Sequence, residues 1–190
     1  GTAGNTTSAG IRVSSTVITL NMKNNIAINT RTGGNINHVG FALLSAGATL
    51  NIDNNCYYAA TGPNNYHAYW LTMGYNTLTD YKTAATPNEQ NSVFYDVNFI
   101  STTDLHVTGS SLGNVNLKGT PIVGITKDFD NDIRNAVAPY KGADEGNVPL
   151  FVTTNPSVIT KYDLSQNYPN PFNPTTNIKF AIPKSGHVSL

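Results

Sequence analysis

Apolar residues along this chain recur in short alternating runs rather than on helical faces. In "TLNMK" Leu20 and Met22 alternate with polar neighbours, and in "TLNID" Leu50 and Ile52 do the same. That period of two is the mark of a half-buried strand. Ile26 with Ile28, and Cys56 with Tyr58, continue each run into a second short strand. The two runs also match each other: "TLNMKNNIAI" (Thr19 to Ile28) returns as "TLNIDNNCYY" (Thr49 to Tyr58). The separation, roughly thirty residues, falls in the range of stacked-repeat architectures. No stretch sustains a 3.6-residue apolar period. One short helix is predicted at "NTLTDYKTAAT", where Thr77 and Asp80 have the spacing of a capping box.

The Asn pairs, Asn24 with Asn25 and Asn54 with Asn55, give the repeat a physical reason. Asn tolerates the left-handed backbone of a sharp corner. Its side-chain amide also donates to and accepts from the same amide one repeat away, the ladder that stabilises in-register parallel strands. Strand, Asn corner, strand and loop at this spacing predict an all-β chain built as coils of a parallel β-helix (solenoid), each burying its inward side chains against its neighbours. A β-sandwich with similar hairpins is the alternative. Lys23 and Asp53 align one repeat apart, where they are expected to form a surface ion pair of little energetic weight. The coils and a closing cap are assigned to residues 1–145. A linker with Pro149 and Pro156 follows at 146–163, and a separate segment at 164–190.

Charge narrows the class of partner. Lys+Arg 11 against Asp+Glu 11 leaves no net charge, and only 12% of the 190 residues are charged. Nucleic acid, which requires a basic footprint, is therefore not an expected partner. The 39% of hydrophobic residues is too high for a disordered chain. Cys56 is the one cysteine, so no internal disulfide or Cys-based zinc site exists; it is expected to point inward as a small hydrophobe. No apolar run approaches the roughly 20 residues that span a bilayer. The N-terminal "GTAGNTTSAG" lacks the charged and apolar regions of a signal peptide. The chain is expected to be cut at both ends, stopping in mid-strand.

Two segments carry resemblances. "YNTLTDYKTAAT", "YDVNFISTTDLHV", "KDFDNDIRN" and "PYKGADE" occur in an order and spacing similar to those of the right-handed parallel β-helix proteins of Bacteroidota and related bacteria. This likeness covers most of residues 24–145. It departs at Asn131, where that group has Gly, and at Tyr140 and Lys141, where an acidic residue precedes "GADE". It implies a right-handed parallel β-helix, here its C-terminal coils, closed near the "DFDND" turn. The tail "NYPNPFNPTTNIKFAIP" resembles the start of a type A C-terminal sorting domain of the type IX secretion system. The matching residues are Tyr168, Pro169, Asn170, Pro171, Phe172, Asn173, Pro174, Ile178 and Phe180. Here the prolines fix an extended entry, and Ile178 with Phe180 are expected to alternate inward as the first strand of a β-sandwich. Val188 and Leu190 are expected to begin the next strand. The resemblance implies an exported cargo, secreted or at the outer cell surface, with the type IX machinery as partner.

Candidate chemistry is sparse. Asp128, Asp130 and Asp132 alternate through "DFDND", and three hard oxygen donors at this spacing suit Ca²⁺. The EF-hand Gly and Glu are missing. The other reading is a polar turn closing the last coil, with Arg134 paired to one carboxylate or to Asp144. Tyr57, Tyr58, Tyr66, His67, Tyr69, Trp70 and Tyr75 crowd a segment read as a protruding loop. Aromatic faces with nearby Asn amides suit sugar rings; the structural alternative is a satellite cluster that holds the loop onto the coils. Glycosidase chemistry needs two carboxylates across a cleft, and Asp53, Asp80, Glu89, Asp96 and Asp104 form no local cluster. His38, His67 and His106 are isolated in sequence. In "TDLHV" and "NVNL", Leu105 with Val107 and Val115 with Leu117 are each expected to share a strand face. The expected function is a non-catalytic, adhesin-like or structural module that binds glycans or copies of itself. The alternative is the non-catalytic end of a secreted polysaccharide lyase or glycosidase.

Overall fold

The computed structural model describes residues 7–14, 19–45, 49–146, 161–168, 170–171 and 174–183. The chain divides into two compact units, Gly1–Val148 and Pro149–Leu190. Among the described residues its regular elements are mostly strands, with one α-helix and two short 3-10 turns.

In the first unit the chain runs β1 (Ser8–Val13), β2 (Thr19–Lys23), β3 (Ile26–Asn29), β4 (His38–Leu43), β5 (Thr49–Asp53), β6 (Cys56–Ala59), β7 (Asn65–Trp70), β8 (Met73–Tyr75), α1 (Leu78–Ala85) and β9 (Val93–Phe94). These strands sort into three sheets, ordered β1-β4-β7-β8, β2-β5 and β3-β6-β9. Every pairing is parallel except β7 with β8. The chain thus visits the sheets in turn and returns beside its earlier strand. The sequence repeat is the register itself: Thr19 lies opposite Thr49, Met22 opposite Ile52, and Ile26 opposite Cys56.

Both predicted Asn corners are present. Asn24 and Asn54 adopt φ of 58° and 59°, the left-handed conformation. The ladder forms through the second Asn of each pair: the backbone N–H and side-chain amide of Asn25 both donate to Asn55 Oδ1, at 3.0 and 2.9 Å. A second rung joins Asn51 Nδ2 to Asn21 Oδ1 at 2.8 Å. Lys23 does face Asp53 across β2 and β5, but the expected ion pair is not among those described. Both Asp53 oxygens instead accept hydrogen bonds from Asn91 at 2.7 Å.

Strand alternation builds two cores on opposite faces of the β3-β6-β9 sheet. Ala27, Tyr57 and Phe94 face the first, with Met22, Phe41, Leu43, Ile52 and Trp70. Ile26, Cys56 and Val93 face the second, where residues 97–140 supply Val97, Val107, Leu117 and Tyr140. Cys56 is buried as expected, but in the outer cluster, and Ile28 packs against that same cluster. Burial pushes the Cys56 thiol up to about 12, above its normal range. The native chain should therefore resist iodoacetamide at neutral pH and alkylate fully in guanidinium, since thiolate is the reacting form. Mass spectrometry of the two samples checks this.

Helix α1 forms where predicted, but Thr77, at its N-cap, makes no side-chain capping bond. Packing holds the helix instead. Tyr81 is fully buried and sets its ring against Tyr57, Trp70, Tyr75 and Phe94 at centroid distances of 5.3 to 6.3 Å. Beyond β9 the chain has no further regular strand before Glu145, which corrects two expectations. Leu105 is 61% exposed while Val107 is buried, and Val115 is 81% exposed while Leu117 is buried, because a bend and a 3-10 turn replace the strands.

The second unit pairs β10 (Asp163–Leu164) antiparallel with β11 (Phe180–Ala181), and Tyr168 bridges Asn177. Ile178 and Phe180 are 44% and 47% exposed, not inward-facing. Among the described residues of this unit, the two paired strands have no second layer to cover a face. Of the sorting-motif residues, Pro169, Phe172 and Asn173 lie outside the described residues, as do Val188 and Leu190.

Candidate functional site

The aromatic segment is not a protruding loop. Its residues sit on β6, β7 and β8, and this placement separates them. Tyr57 is fully buried and stacked on Phe41 at 4.8 Å, and Trp70 is 8% exposed. Their faces are occupied by the first core, which removes both from any ligand surface. Tyr58, Tyr66, His67, Tyr69 and Tyr75 remain half-buried. Tyr58 stacks on His67 at 5.2 Å, and Tyr66 meets Tyr69 edge-on at 6.3 Å. His67 Nδ1 accepts the Ala59 N–H at 3.0 Å, and burial lowers its pKa. Both facts describe a neutral imidazole with its proton on Nε2.

The three aspartates of "DFDND" do not converge on one point. Asp128 accepts backbone N–H groups from Asp130 and Asp132 through Oδ1 and from Glu145 through Oδ2, at 2.9 to 3.0 Å. Burial pushes its pKa up, but these donors and the Arg134 charge outweigh that effect and hold it below the usual range. Its carboxylate is a turn organiser. The turn itself packs beside residues 143–145, with Phe129 N donating to Ala143 O. Arg134 secures the same place by donating to the carbonyls of Tyr140, Gly142 and Ala143. Its ion-pair partner is Glu145, at 3.5 Å, rather than Asp144.

Asp130 points the other way, to a residue that sequence left isolated. His106 lies between two carboxylates: Nδ1 bonds Asp104 Oδ1 at 2.5 Å and Nε2 bonds Asp130 Oδ2 at 2.9 Å. Asp144 stands beside them, its Oδ2 accepting the Val107 N–H at 2.7 Å. The hydrogen bonds to Asp104 and Asp130 raise the His106 pKa to about 9, and the bond to His106 lowers that of Asp104. The site is local in origin. "TDLH" turns so that Asp104 also caps the His106 N–H, and Ser101 Oγ accepts the Asp104 N–H.

These side chains line an open groove of about 460 Å³ with Leu105 and Phe129, the latter 83% exposed. An aromatic ring in the same groove as three carboxylates and one imidazole suits a ligand that is cationic or rich in hydroxyls. With both nitrogens bonded to carboxylates and its pKa near 9, His106 is a poor general base at neutral pH. Asp104, His106, Phe129 and Asp144 were the functional candidates that sequence reasoning missed. The Asp-x-His spacing in "TDLH" is the signal that could have found the first two.

Comparison with family models, curated proteins and solved structures gives no match. Fold and site define the chain as a β-rich protein with parallel, in-register repeats and a histidine–carboxylate groove.

Proposed function

We propose that the chain is a non-catalytic module of a secreted or cell-surface protein, a right-handed parallel β-helix whose flank serves as a contact surface. The observation that carries this reading is the repeated parallel return of β1 to β4 to β7, β2 to β5 and β3 to β6 to β9, with Asn rungs joining successive turns. Such stacking gives a neutral, polar surface suited to sustained contact outside the cell. The likeness of Tyr168 to Phe180 to a type IX sorting segment supports export. Among the described residues no helix is long and apolar enough to cross a membrane.

The export part is tested in the native cell with the full-length product. Deleting residues 164–190 is expected to strand it in the periplasm, and unchanged appearance outside the cell would refute the sorting role.

Glycan contact falls to the half-exposed Tyr66 and Tyr69 rather than to Trp70. On a glycan array the wild-type chain should bind, and Tyr66→Ala with Tyr69→Ala should weaken binding about tenfold, the loss of an aromatic stacking contact. No binding by the wild type sinks the glycan reading and leaves self-association, read by sedimentation, as its competitor.

A further inference from the structure

The geometry points to a divalent transition-metal site of the zinc type in the groove, with His106 Nε2, Asp130 and Asp144 as ligands. One nitrogen and two carboxylate donors, all within 4.8 Å of one another, come from separate parts of the chain. Ligands about 2.0 Å from a tetrahedral ion stand about 3.3 Å apart, and rotation of the exposed His106 and Asp130 side chains closes the difference toward the half-buried Asp144. Three ligands leave the fourth position of a tetrahedral ion open.

Asp104, which is not one of the three donors, supplies an independent sign. A metal-bound imidazole typically gives its other ring N–H to a carboxylate, which fixes the tautomer and aims the ligating nitrogen. His106 Nδ1 bonds Asp104 in that way, and Nε2 is turned toward Asp130. The backbone holds this arrangement on both sides. Ile100 N bonds His106 O and Ser101 N bonds Asp104 O, while Asp128 N bonds Asp132 O across the facing turn. Charge favours a cation as well. Asp104 and Asp130 share one imidazole, and Asp144 adds a third carboxylate held by a neutral N–H. Mixed nitrogen and oxygen donors select zinc-type ions over Ca²⁺, which prefers an all-oxygen shell.

The aspartate alternation of "DFDND" therefore supplies one ligand, not three. Asp128 is committed to backbone donors, and Asp130 alone of the three aspartates enters the site.

The test is titration of the whole chain with zinc chloride in a non-chelating buffer, read by calorimetry, with Co²⁺ absorption as a second probe. One ion per chain is expected, with a visible Co²⁺ spectrum of low-coordinate type. His106→Gln and Asp144→Asn should each weaken zinc binding at least about tenfold, the usual scale for disturbing ligands or their supports. Asp144→Asn keeps an oxygen for the Val107 N–H, so it is expected to fold like the wild type in EDTA. Asp104 acts as a positioning residue: Asp104→Asn should weaken zinc about tenfold and change the imidazole ¹⁵N shifts of His106 in the metal-free chain. No zinc uptake by the wild type overturns the site. Undiminished uptake by folded Asp144→Asn, or displacement of zinc by equimolar Ca²⁺, overturns it equally.

Discussion

Gly40→Ala is expected to destabilise the first unit by about 3 kcal/mol, at the upper end of the cost of overpacking a core. Gly40 lies in the middle of β4, and a Cβ there would stand 2.7 Å from His67 O and 2.8 Å from Tyr58 N and O. All three atoms are backbone, from β6 and β7, and no side-chain rotation relieves them. At this level two sheets approach with nothing between them, so the methyl group must push strands apart and break their ladders. Gly10→Ala, one repeat earlier, meets one backbone atom at 2.8 Å and others at 3.2 and 3.3 Å, so its cost should be smaller. Trp70, the chain's one tryptophan, sits in the first core, so its fluorescence during urea unfolding reports this unit. The expected result is a lower midpoint at unchanged slope. A loss below about 1 kcal/mol would mean that the strands part more easily than a close-packed core allows.

The second large effect is expected at Glu89, a fully buried carboxyl. Its Oε1 accepts from Tyr57 and Tyr81 hydroxyls at 2.8 and 2.9 Å, and its Oε2 from Ser92 Oγ and from Asn55 Nδ2. It therefore ties β6, α1 and the Asn corner at one point. Glu89→Gln replaces one acceptor oxygen with an amide that aims protons at donors. Leaving buried donors unmatched costs about 1–3 kcal/mol each, so a loss of about 3 kcal/mol is expected by the same fluorescence assay. The pH dependence gives an independent check. Burial raises the Glu89 pKa against the pull of its four donors. An acid raised on folding contributes fully below its unfolded value, about 4.3, and that contribution fades as pH rises through the folded value. The stability gap between wild type and Glu89→Gln should accordingly narrow from acid toward neutral pH. A gap that widened instead would show a carboxyl stabilised as its anion.

Much of the first unit was legible because its signals are local. Alternation in "TLNMK" and "TLNID" marks β2 and β5, and the Asn pairs mark corners that few other residues accept. The thirty-residue match foretold register, since in-register parallel strands place like residues side by side. Residues 95–146 misled because they bury side chains singly: Val97, Val107, Leu117 and Tyr140 each enter the outer core from an irregular path. Alternation has no meaning there. The aromatic run misled for the opposite reason. Read as a loop, it is three strands whose alternation sends Tyr57 and Trp70 inward and leaves Tyr58 and Tyr69 half-exposed.

Sequence by itself determined the strands β2, β3, β5 and β6, the Asn corners between them and the neutral, polar composition, because each depends on neighbours along the chain; it also placed the helix at α1, which packing on Tyr81 then holds. Only the tertiary structure decided which face of β3 and β6 meets which core. It alone also sent Asp128 to organise a turn, set Asp130 on His106 and drew Asp144 from the end of the unit to join them. Those contacts join residues far apart in sequence, and they depend on how irregular loops pack on a finished sheet.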